Sequence, residues 1–318
     1  MQATTQKLLT KRKAGLFTGW SDNTLAGLAR RKALMGYLFL LPTVLGILIF
    51  TAGPVLVSFG LSFYDWNVFT PAEYIGSANF TRLFTDTHAI TGFYNTIRFV
   101  LITIPLQIIL ALLLALAVRQ RMVTWLRYYF RTAFFLPFLF SGTATAIVLA
   151  YLLHKEFGAV NYYLGFLGVP RIPWLISSDI VLYTLVITYI WQNIGFTLIG
   201  FLGGLSNISS EVLDAADVDG AQGWRRLWYV TLPMLSPSIL FAAVVGVIGG
   251  LQIFDQPYIM TRGGPGDASR TAVMTMYEAA FKNQEIGYGS SIAVILFIMI
   301  MIVTAIQFGF SKRWVFYQ

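Results

Sequence analysis

Six long apolar runs alternate with polar segments along the chain. They cover residues 34–63, 97–118, 132–153, 180–204, 238–255 and 291–310. Each run, as a helix, is long enough to cross a hydrocarbon layer of ~30 Å. The pattern therefore predicts an all-α, polytopic membrane protein with six transmembrane helices. Pro137 and the small residues Ser141-Gly142-Thr143 further predict a kinked or tightly packed third span.

Composition supports this class and excludes several chemistries. Hydrophobic residues make up 57% of the chain and charged residues only 11%, which is far from a soluble globular domain. Cysteine is absent, so disulfides and thiol chemistry are excluded. His88 and His154 are isolated, and Gly263-Gly264-Pro265-Gly266 lacks the Lys-Ser/Thr of a phosphate-binding loop. We expect no catalytic, cofactor-binding or metal-binding residue in this chain.

The basic residues predict the orientation of the spans. The chain carries 22 Lys and Arg and a net charge of +8, and 15 of the 22 lie before the first span, at 119–131, at 225–226 or at 312–313. By the positive-inside rule these segments are cytoplasmic, as are both termini. The basic start has no cleavage site, so the first run is predicted to be an uncleaved span. Topology accounts for the charge, and we expect no nucleic-acid partner.

The expected domains are a cytoplasmic segment at 1–33, a six-span domain at 34–313 and a cytoplasmic tail at 314–318. The polar loop at 205–237 interrupts the membrane domain. In it, Ser209 and Ser210 can cap a short helix whose first turn is acidic, and Gly220 can end that helix in a left-handed conformation. Ala215 and Ala216 give the helix little bulk, so we expect a surface helix onto which a partner docks.

The chain after Gly220 has a different pattern. Trp224, Leu227 and Trp228 fall at helical spacing beside Arg225 and Arg226, which is typical of a helix at a membrane interface. Pro233 and Pro237 are then predicted to separate this segment from the apolar run that follows.

This loop resembles the EAA loop in the membrane subunits of binding-protein-dependent ABC importers. Asp214-Ala215-Ala216 is followed after three residues by Gly220 and after nine more by Val230-Thr231-Leu232-Pro233. Asp214 replaces the usual Glu, and Val230 the usual Ile. The resemblance implies contact with an ATPase, and we assign the coupling role to Glu211, Asp214, Ala215, Ala216, Asp217, Gly220, Arg225 and Pro233.

The resemblance extends over most of residues 34–313. Phe254-Asp255, Gly263-Gly264-Pro265 and Gly287-Tyr288-Gly289 are similar to the carbohydrate-type importers, which include the maltose and glycerol-3-phosphate permeases. This implies a type I ABC importer permease fold with a cytoplasmic coupling helix, in the cytoplasmic membrane of a bacterium or archaeon. The implied partners are a second homologous permease subunit, two ATPase subunits that bind the ATP and Mg, an external solute-binding protein, and membrane lipid.

Polar side chains inside the spans predict a path for the substrate. Such groups are costly in lipid and usually face a bundle interior or a water-filled cavity. Amides and aromatic faces suit a polyhydroxyl ligand, and we expect Tyr189 to share a helix face with Gln192 and Asn193. The candidate path consists of Tyr189, Gln192, Asn193, Gln252 and Asp255.

Other small and polar residues in the spans are open to more than one interpretation. Gln192 and Asn193 could instead join helices, and that is the role we assign to Gln107 and Gln307. The pairs Gly200/Gly204 and Gly246/Gly250 permit close helix approach, either within the chain or between subunits.

The sequence therefore predicts the permease subunit of an ATP-driven ABC importer for a carbohydrate, an oligosaccharide or related polyol, with alternating access coupled through the loop at 211–233. One alternative is an ion-coupled secondary transporter, which would favour a charged relay or broken helices at mid-membrane. Others are an importer subunit for a non-sugar solute such as glycerol-3-phosphate, and a scaffolding subunit without a solute site. Oligosaccharide, monosaccharide, glycerophosphate and uronic-acid substrates all remain open from the residues.

Overall fold

A computed structural model describes residues 25–119 and 123–316 of the chain. The chain divides into two compact units, Met1–Val57 and Ser58–Gln318. Most of the segment at 1–33 and the end of the tail at 314–318 lie outside the described residues.

The described part of the first unit, from residue 25 on, is a continuous helical run. Helix α1 spans Leu25–Ile47 with Pro42 inside it, a π-helical turn follows at Leu48–Ala52, and helix α2 at Gly53–Leu61 begins within this unit. Together, Gly27–Leu61 are long and apolar enough to cross a membrane. The first predicted span is thus confirmed as a helix, and it begins earlier than the apolar run.

The second unit contains a small hairpin and the remaining helices. Strands β1 at Tyr64–Asp65 and β2 at Glu73–Tyr74 pair antiparallel, with Tyr64 opposite Tyr74. The helices are α3 Ala78–Leu83, α4 Thr87–Arg119, α5 Thr124–Leu139, α6 Gly142–Leu152, α7 Ala159–Phe166, α8 Val181–Ser206, α9 Ser210–Val218, α10 Trp224–Arg226, α11 Leu232–Leu251, α12 Ala272–Tyr277 and α13 Ile286–Ser311. Three further π-helical turns lie at Leu227–Thr231, Pro257–Thr261 and Glu278–Lys282.

Within the described residues, five helices can cross a membrane by length and hydropathy, and a sixth span results if α5 and α6 are counted together. Helices α5 and α6 meet at 102° across a short link. Phe140 and Ser141 in the link have extended backbone, with ψ of 148° and 133°. The predicted kink in the third span is therefore confirmed, and it is a complete break in the helix.

The prediction that Pro233 and Pro237 separate the interfacial segment from the next span is wrong. Trp224–Leu251 forms one helical run of 28 residues. Pro233 lies in the first turn of α11, where its missing N–H costs least. The preceding π-helical turn is wider, and the Leu232 N–H bonds to the Leu227 carbonyl across it. The interfacial segment and the span therefore form one helix.

Helix α8 lies at the centre of the second unit and packs against α4, α5 and α11. Its buried side chains include Leu185, Leu198 and Phe201. Gly195 allows α8 to approach the backbone of α5 closely, because a Cβ at this position would overlap the Phe134 carbonyl.

Three of the four glycines in the small-residue pairs pack within the chain. Cβ atoms added at Gly246 and Gly250 would contact Ile104 and Val100 of α4, and one at Gly204 would meet Ser238 of α11. These contacts support the intramolecular interpretation for Gly246/Gly250 and for Gly204. A Cβ at Gly200 would meet no atom of the described residues within 4 Å, so that position does not decide between the two interpretations.

An ion-pair network ties together the loops at the end of the bundle opposite α9. Arg270 pairs with Asp267 and with Glu278, and Lys282 Nζ lies 2.9 Å from Glu278 Oε1. Burial disfavours the charge of Glu278, but hydrogen bonds and charges from Lys282 and Arg270 outweigh it and hold the pKa of Glu278 below its usual value. The pKa of Asp267 is likewise lowered, because Arg270 and His88 outweigh the effect of burial.

Candidate functional site

The predicted docking helix is present as α9. The Ser209 side chain accepts a hydrogen bond from the Val212 N–H at 3.4 Å, which makes Ser209 the N-cap. Gly220 has φ of +72°, the left-handed conformation expected of the residue that ends the helix. Local sequence therefore fixes both ends of α9.

One face of α9 is exposed and forms what we call the docking stripe. Its members lie at i, i+3, i+4 and i+7 and are Glu211, Asp214, Ala215 and Val218. The stripe combines a small centre at Ala215 with two carboxylates, of which Glu211 lies in the first turn, at the positive end of the helix. Val218 is 87% exposed, a large exposed fraction for an apolar side chain.

Ala216 does not belong to this stripe. It is only 6% exposed and lies on the opposite face of α9, together with the partly buried Val212 and Leu213. Its small side chain is therefore needed for packing within the chain, which corrects the expectation that Ala215 and Ala216 offer a joint docking surface. Val218 was missed, although its spacing from Asp214 and Ala215 marks it as a member of their face.

An ion pair joins α9 to the helical run that follows it. Arg226 Nη1 donates to Asp217 Oδ1 at 2.9 Å and to Oδ2 at 3.2 Å, and both side chains are partly exposed. Arg226 lies in the first turn of the run Trp224–Leu251, so the pair connects α9 to the run that contains α11. Arg225, the basic residue expected to take part in coupling, is exposed. Pro233 is half-buried in the first turn of α11.

A cavity of about 150 Å³ lies between α4, α5, α8 and α11. The residues around it are Gln107, Phe138, Tyr189, Asn193, Phe196, Thr197, Gly200, Ser238, Phe241, Ala242, Val245, Gly246 and Gly249. No charged side chain is among these residues. We call this space the span cavity.

Polar groups reach the span cavity from α4 and α8. Gln107 Nε2 donates to Thr197 Oγ1 at 2.8 Å, while the buried Gln107 Oε1 has no hydrogen-bond partner. Asn193 Nδ2 donates to the Tyr189 carbonyl at 2.9 Å. A Cβ added at Gly249 would lie 2.9 Å from the Tyr189 hydroxyl, which is too close for a normal contact. The glycine therefore provides the space that the hydroxyl occupies. Gln107 joins helices as expected, and it also faces the cavity.

Aromatic rings form the rest of the lining. Phe138 and Phe196 stack at a centroid distance of 5.0 Å, and Phe241 lies 6.3 Å from Phe196. Their faces, beside amide and hydroxyl groups, match the mixed apolar and polar surface of a sugar ring.

The other residues of the predicted path lie elsewhere. Gln192 accepts a hydrogen bond from Gln256 Nε2 at 2.7 Å, and Asp255 Oδ1 accepts one from Thr143 Oγ1 at 3.1 Å. Gln252 ends α11 and is exposed. The expected grouping of Tyr189, Gln192 and Asn193 is therefore wrong for Gln192, whose side chain turns toward Gln256.

Comparison with known proteins reveals clear relatives. Residues 93–315 match the family described as the binding-protein-dependent transport system inner membrane component. The probable ABC transporter permease protein YesP of Bacillus subtilis (strain 168) is 33% identical over 293 residues, which cover 91% of this chain and 94% of that protein. The sulfoquinovosyl glycerol transport system permease protein SmoG of Agrobacterium fabrum (strain C58) is 34% identical, covering 86% of this chain and 89% of that protein.

A solved structure has the same fold. A bacterial ABC transporter involved in the import of the acidic polysaccharide alginate contains a chain that superposes with a TM-score of 0.78. The match has 22% identity and covers 89% of this chain and 96% of that one. A second structure of the bacterial alginate ABC transporter, in complex with alginate pentasaccharide-bound periplasmic protein, superposes equally well, with a TM-score of 0.78.

Proposed function

This chain belongs to the family of binding-protein-dependent transport system inner membrane components, and from that premise we propose that it is the permease subunit of an ABC importer for a carbohydrate. The observation that carries the proposal is the docking stripe, held by the Asp217–Arg226 pair on the helical run that lines the span cavity. A surface for a partner and a route for a solute are thus connected through one helix.

We propose a separate ATPase as the partner at the docking stripe. A small residue flanked by carboxylates permits close approach and offers acceptors to basic or N–H groups. ATP and Mg would bind to that ATPase, two copies of which would serve a pair of permease subunits. The relatives that carry the name of ABC transporter permease support this assembly.

The span cavity favours the uncharged, polyhydroxyl part of a solute. Its uncharged lining offers donors, acceptors and aromatic faces, which suits a saccharide better than a glycerophosphate, whose phosphate needs a cation or several N–H donors. The transport system named for sulfoquinovosyl glycerol supports a carbohydrate as the general class. At about 150 Å³ the cavity is smaller than the ~300–1,000 Å³ of typical ligand sites, so it must widen to admit an oligosaccharide.

The coupling proceeds through the helical run Trp224–Leu251. Closure of the two ATPase copies on ATP moves α9, and the Asp217–Arg226 pair transmits this movement to α11. Because α11 forms one wall of the span cavity, its displacement changes the side from which the cavity is open. ATP can shift this equilibrium only through contacts that differ between the two states, and the docking stripe supplies them.

We propose that α9 faces the cytoplasm and that the loops of the ion-pair network face the outside, where a solute-binding protein delivers its ligand. The distribution of Lys and Arg supports this orientation. The alginate transporter solved with its periplasmic protein supports a solute-binding partner of this kind.

Purification of the membrane complex through a tag on this chain tests the proposal. We expect an ATPase to copurify and its hydrolysis rate to rise when the saccharide-loaded solute-binding protein is added. A tagged chain that purifies intact without any ATPase, under conditions that preserve the second permease subunit, would refute it.

A further inference from the structure

The break in the third span lies directly beside the span cavity. Phe138 lines the cavity, and Phe140 and Ser141 form the extended link between α5 and α6. On α8, Asn193 faces the cavity while its neighbour Gln192 reaches toward the link. Because Gln192 lies between Tyr189 and Asn193 on α8, the link lies beside the cavity and at the same depth.

The link leaves backbone polar groups at membrane depth in need of partners. A helix end has unpaired carbonyls and a helix start has unpaired N–H groups, and lipid can satisfy neither. Gln192 Nε2 lies 3.5 Å from the Phe140 carbonyl, and Gln256 Nε2 donates to Gln192 Oε1 at 2.7 Å. Both glutamine side chains are buried. An amide chain from two other segments thus reaches the carbonyl end of α5.

Asp255 covers the other side of the link. Its Oδ1 accepts a hydrogen bond from Thr143 Oγ1 at 3.1 Å, and a Cβ added at Gly142 would overlap its carboxylate. Gly142 and Thr143 open α6, so the carboxylate lies at the positive end of that helix. Helix α6 also packs against the turn Pro257–Thr261 that follows Asp255.

From these contacts we propose that Gln192, Asp255 and Gln256 form a clasp, which holds the α5–α6 link beside the span cavity and must release it in each transport cycle. This inference rests on the proposed function, because it names the closure of the same solute route. The three residues are positioning residues, since they act on the link. The clasp joins α5 and α6, α8 and the segment after α11, so that these elements cannot separate while it is intact.

Hydrogen bonds suit such a clasp because they can break and re-form in every cycle, whereas a covalent bond in the same place cannot. The structure offers the site for that bond. A Cβ at Gly142 would lie 3.4 Å from the Asp255 Cβ, close to the ~3.5–4.5 Å of disulfides. The chain has no cysteine of its own, so an introduced pair has no competitor within it.

The double variant Gly142→Cys with Asp255→Cys, assembled in the full complex and reconstituted in vesicles, tests the proposal. We expect oxidation to reduce saccharide uptake by more than about tenfold and dithiothreitol to restore it. Recovery on reduction shows that the variant is folded, and each single variant serves as the control for oxidation itself. Undiminished uptake after complete disulfide formation would overturn the clasp.

A second measurement separates closure of the cavity from simple stabilisation. Ser238→Cys places a reporter in the cavity lining, and an impermeant maleimide is added from the side opposite α9. We expect Asp255→Ala with Gln256→Ala to raise its labelling rate by about threefold or more. Asp179→Ala, which removes an exposed carboxylate at the same end, is the control. Equal labelling rates in all three backgrounds would contradict the proposal.

The two levels of the proposal fail in different ways. If the unsubstituted complex imports no saccharide, the proposed function fails. If that complex imports saccharide and the oxidised double variant does so equally well, only the clasp fails.

Discussion

At the scale of single residues, two side chains four positions apart on α8 form part of the lining of the span cavity. Tyr189 and Asn193 face the cavity, whereas Gln192 between them reaches Gln256. Helical spacing alone allowed all three side chains to share a face. Gln192 differs because its hydrogen-bond partner, Gln256, lies on another segment, outside the cavity lining. Gln107 lines the cavity and its buried Oε1 has no partner, so this oxygen is available to accept a hydrogen bond there.

We predict that Gln107→Leu and Asn193→Ala raise the KM for saccharide uptake. Each removes one hydrogen-bonding group from the cavity, and such a bond contributes about 0.5–1.5 kcal/mol, or roughly a twofold to tenfold change in affinity. Uptake in reconstituted vesicles at several solute concentrations measures the effect, while basal ATPase activity reports on assembly.

Gln307→Leu is the matched control for these variants. Gln307 is also an amide in a span, but its Nε2 donates to the Ala243 carbonyl at 3.3 Å and it does not line the cavity. An equal rise of KM in all three variants would mean that the amides act through helix packing, and the solute would then bind elsewhere.

Sequence reasoning at this scale succeeded where local geometry decides the outcome. The cap at Ser209 and the left-handed Gly220 follow from residue type and position alone. It failed where an outcome depends on distant segments, as for Ala216, whose burial depends on neighbours that the local pattern does not reveal.

At the scale of elements, α9 is the helix to which we assign the coupling to the ATPase. We predict that Ala215→Trp uncouples uptake from ATP hydrolysis, because the indole occupies the small centre of the docking stripe where the ATPase must approach. The ratio of saccharide imported to ATP hydrolysed in vesicles measures coupling, and it should fall severalfold while the complex still inserts in the membrane.

Gln222→Trp adds the same bulk in an exposed position outside α9 and serves as the control. Ala216→Trp is expected to destabilise the chain instead, because overpacking a buried position costs about 1–3 kcal/mol. If Ala215→Trp transports with normal coupling, the docking stripe is not the ATPase contact.

The ion-pair network provides a prediction about acid. The folded pKa of Glu278 lies below its unfolded value of about 4.3, so the stabilisation is complete above that value and is lost as the pH falls through the folded pKa. We predict that Glu278→Gln lowers stability at pH 7 by roughly 1–3 kcal/mol, because Arg270 and Lys282 lose a charged partner.

Thermal unfolding of the detergent-solubilised complex between pH 7 and pH 3 measures this effect. The Tm of the unsubstituted protein should fall toward that of Glu278→Gln as the pH decreases below about 4. Parallel Tm profiles of the two proteins over the whole range would contradict the assigned role of this carboxylate.

The elements themselves were largely predictable from hydropathy, because lipid requires long continuous apolar helices. The two exceptions both involve proline. After Pro137 the helix breaks, and Gln192 reaches the Phe140 carbonyl while Asp255 accepts a hydrogen bond from the Thr143 hydroxyl. At Pro233 the helix continues, because the residue falls in a first turn after a widened one. The sequence shows where each proline lies, but the residues packed around it determine whether the helix breaks or continues.

At the scale of the whole molecule, the orientation in the membrane is a prediction of its own. Single cysteines at Asp219 and Tyr163, both exposed in the structure, report on the α9 end and on α7. We predict that an impermeant maleimide added to intact cells labels only Tyr163→Cys. Neither site has a structural contact of the kind made by Ser209, which caps α9, or by Asp267, which pairs with Arg270. Labelling of Asp219→Cys alone would invert the orientation.

The source of energy is the central claim, and uptake by the reconstituted complex tests it most directly. Vesicles that contain the complex with its ATPase sites in the lumen receive saccharide-loaded binding protein on the outside. The account predicts that saccharide accumulates only when ATP is sealed inside, and that ionophores which dissipate the proton and sodium gradients leave the initial rate unchanged. Accumulation without ATP that collapses when those ionophores are added would contradict it and would identify an ion-coupled transporter.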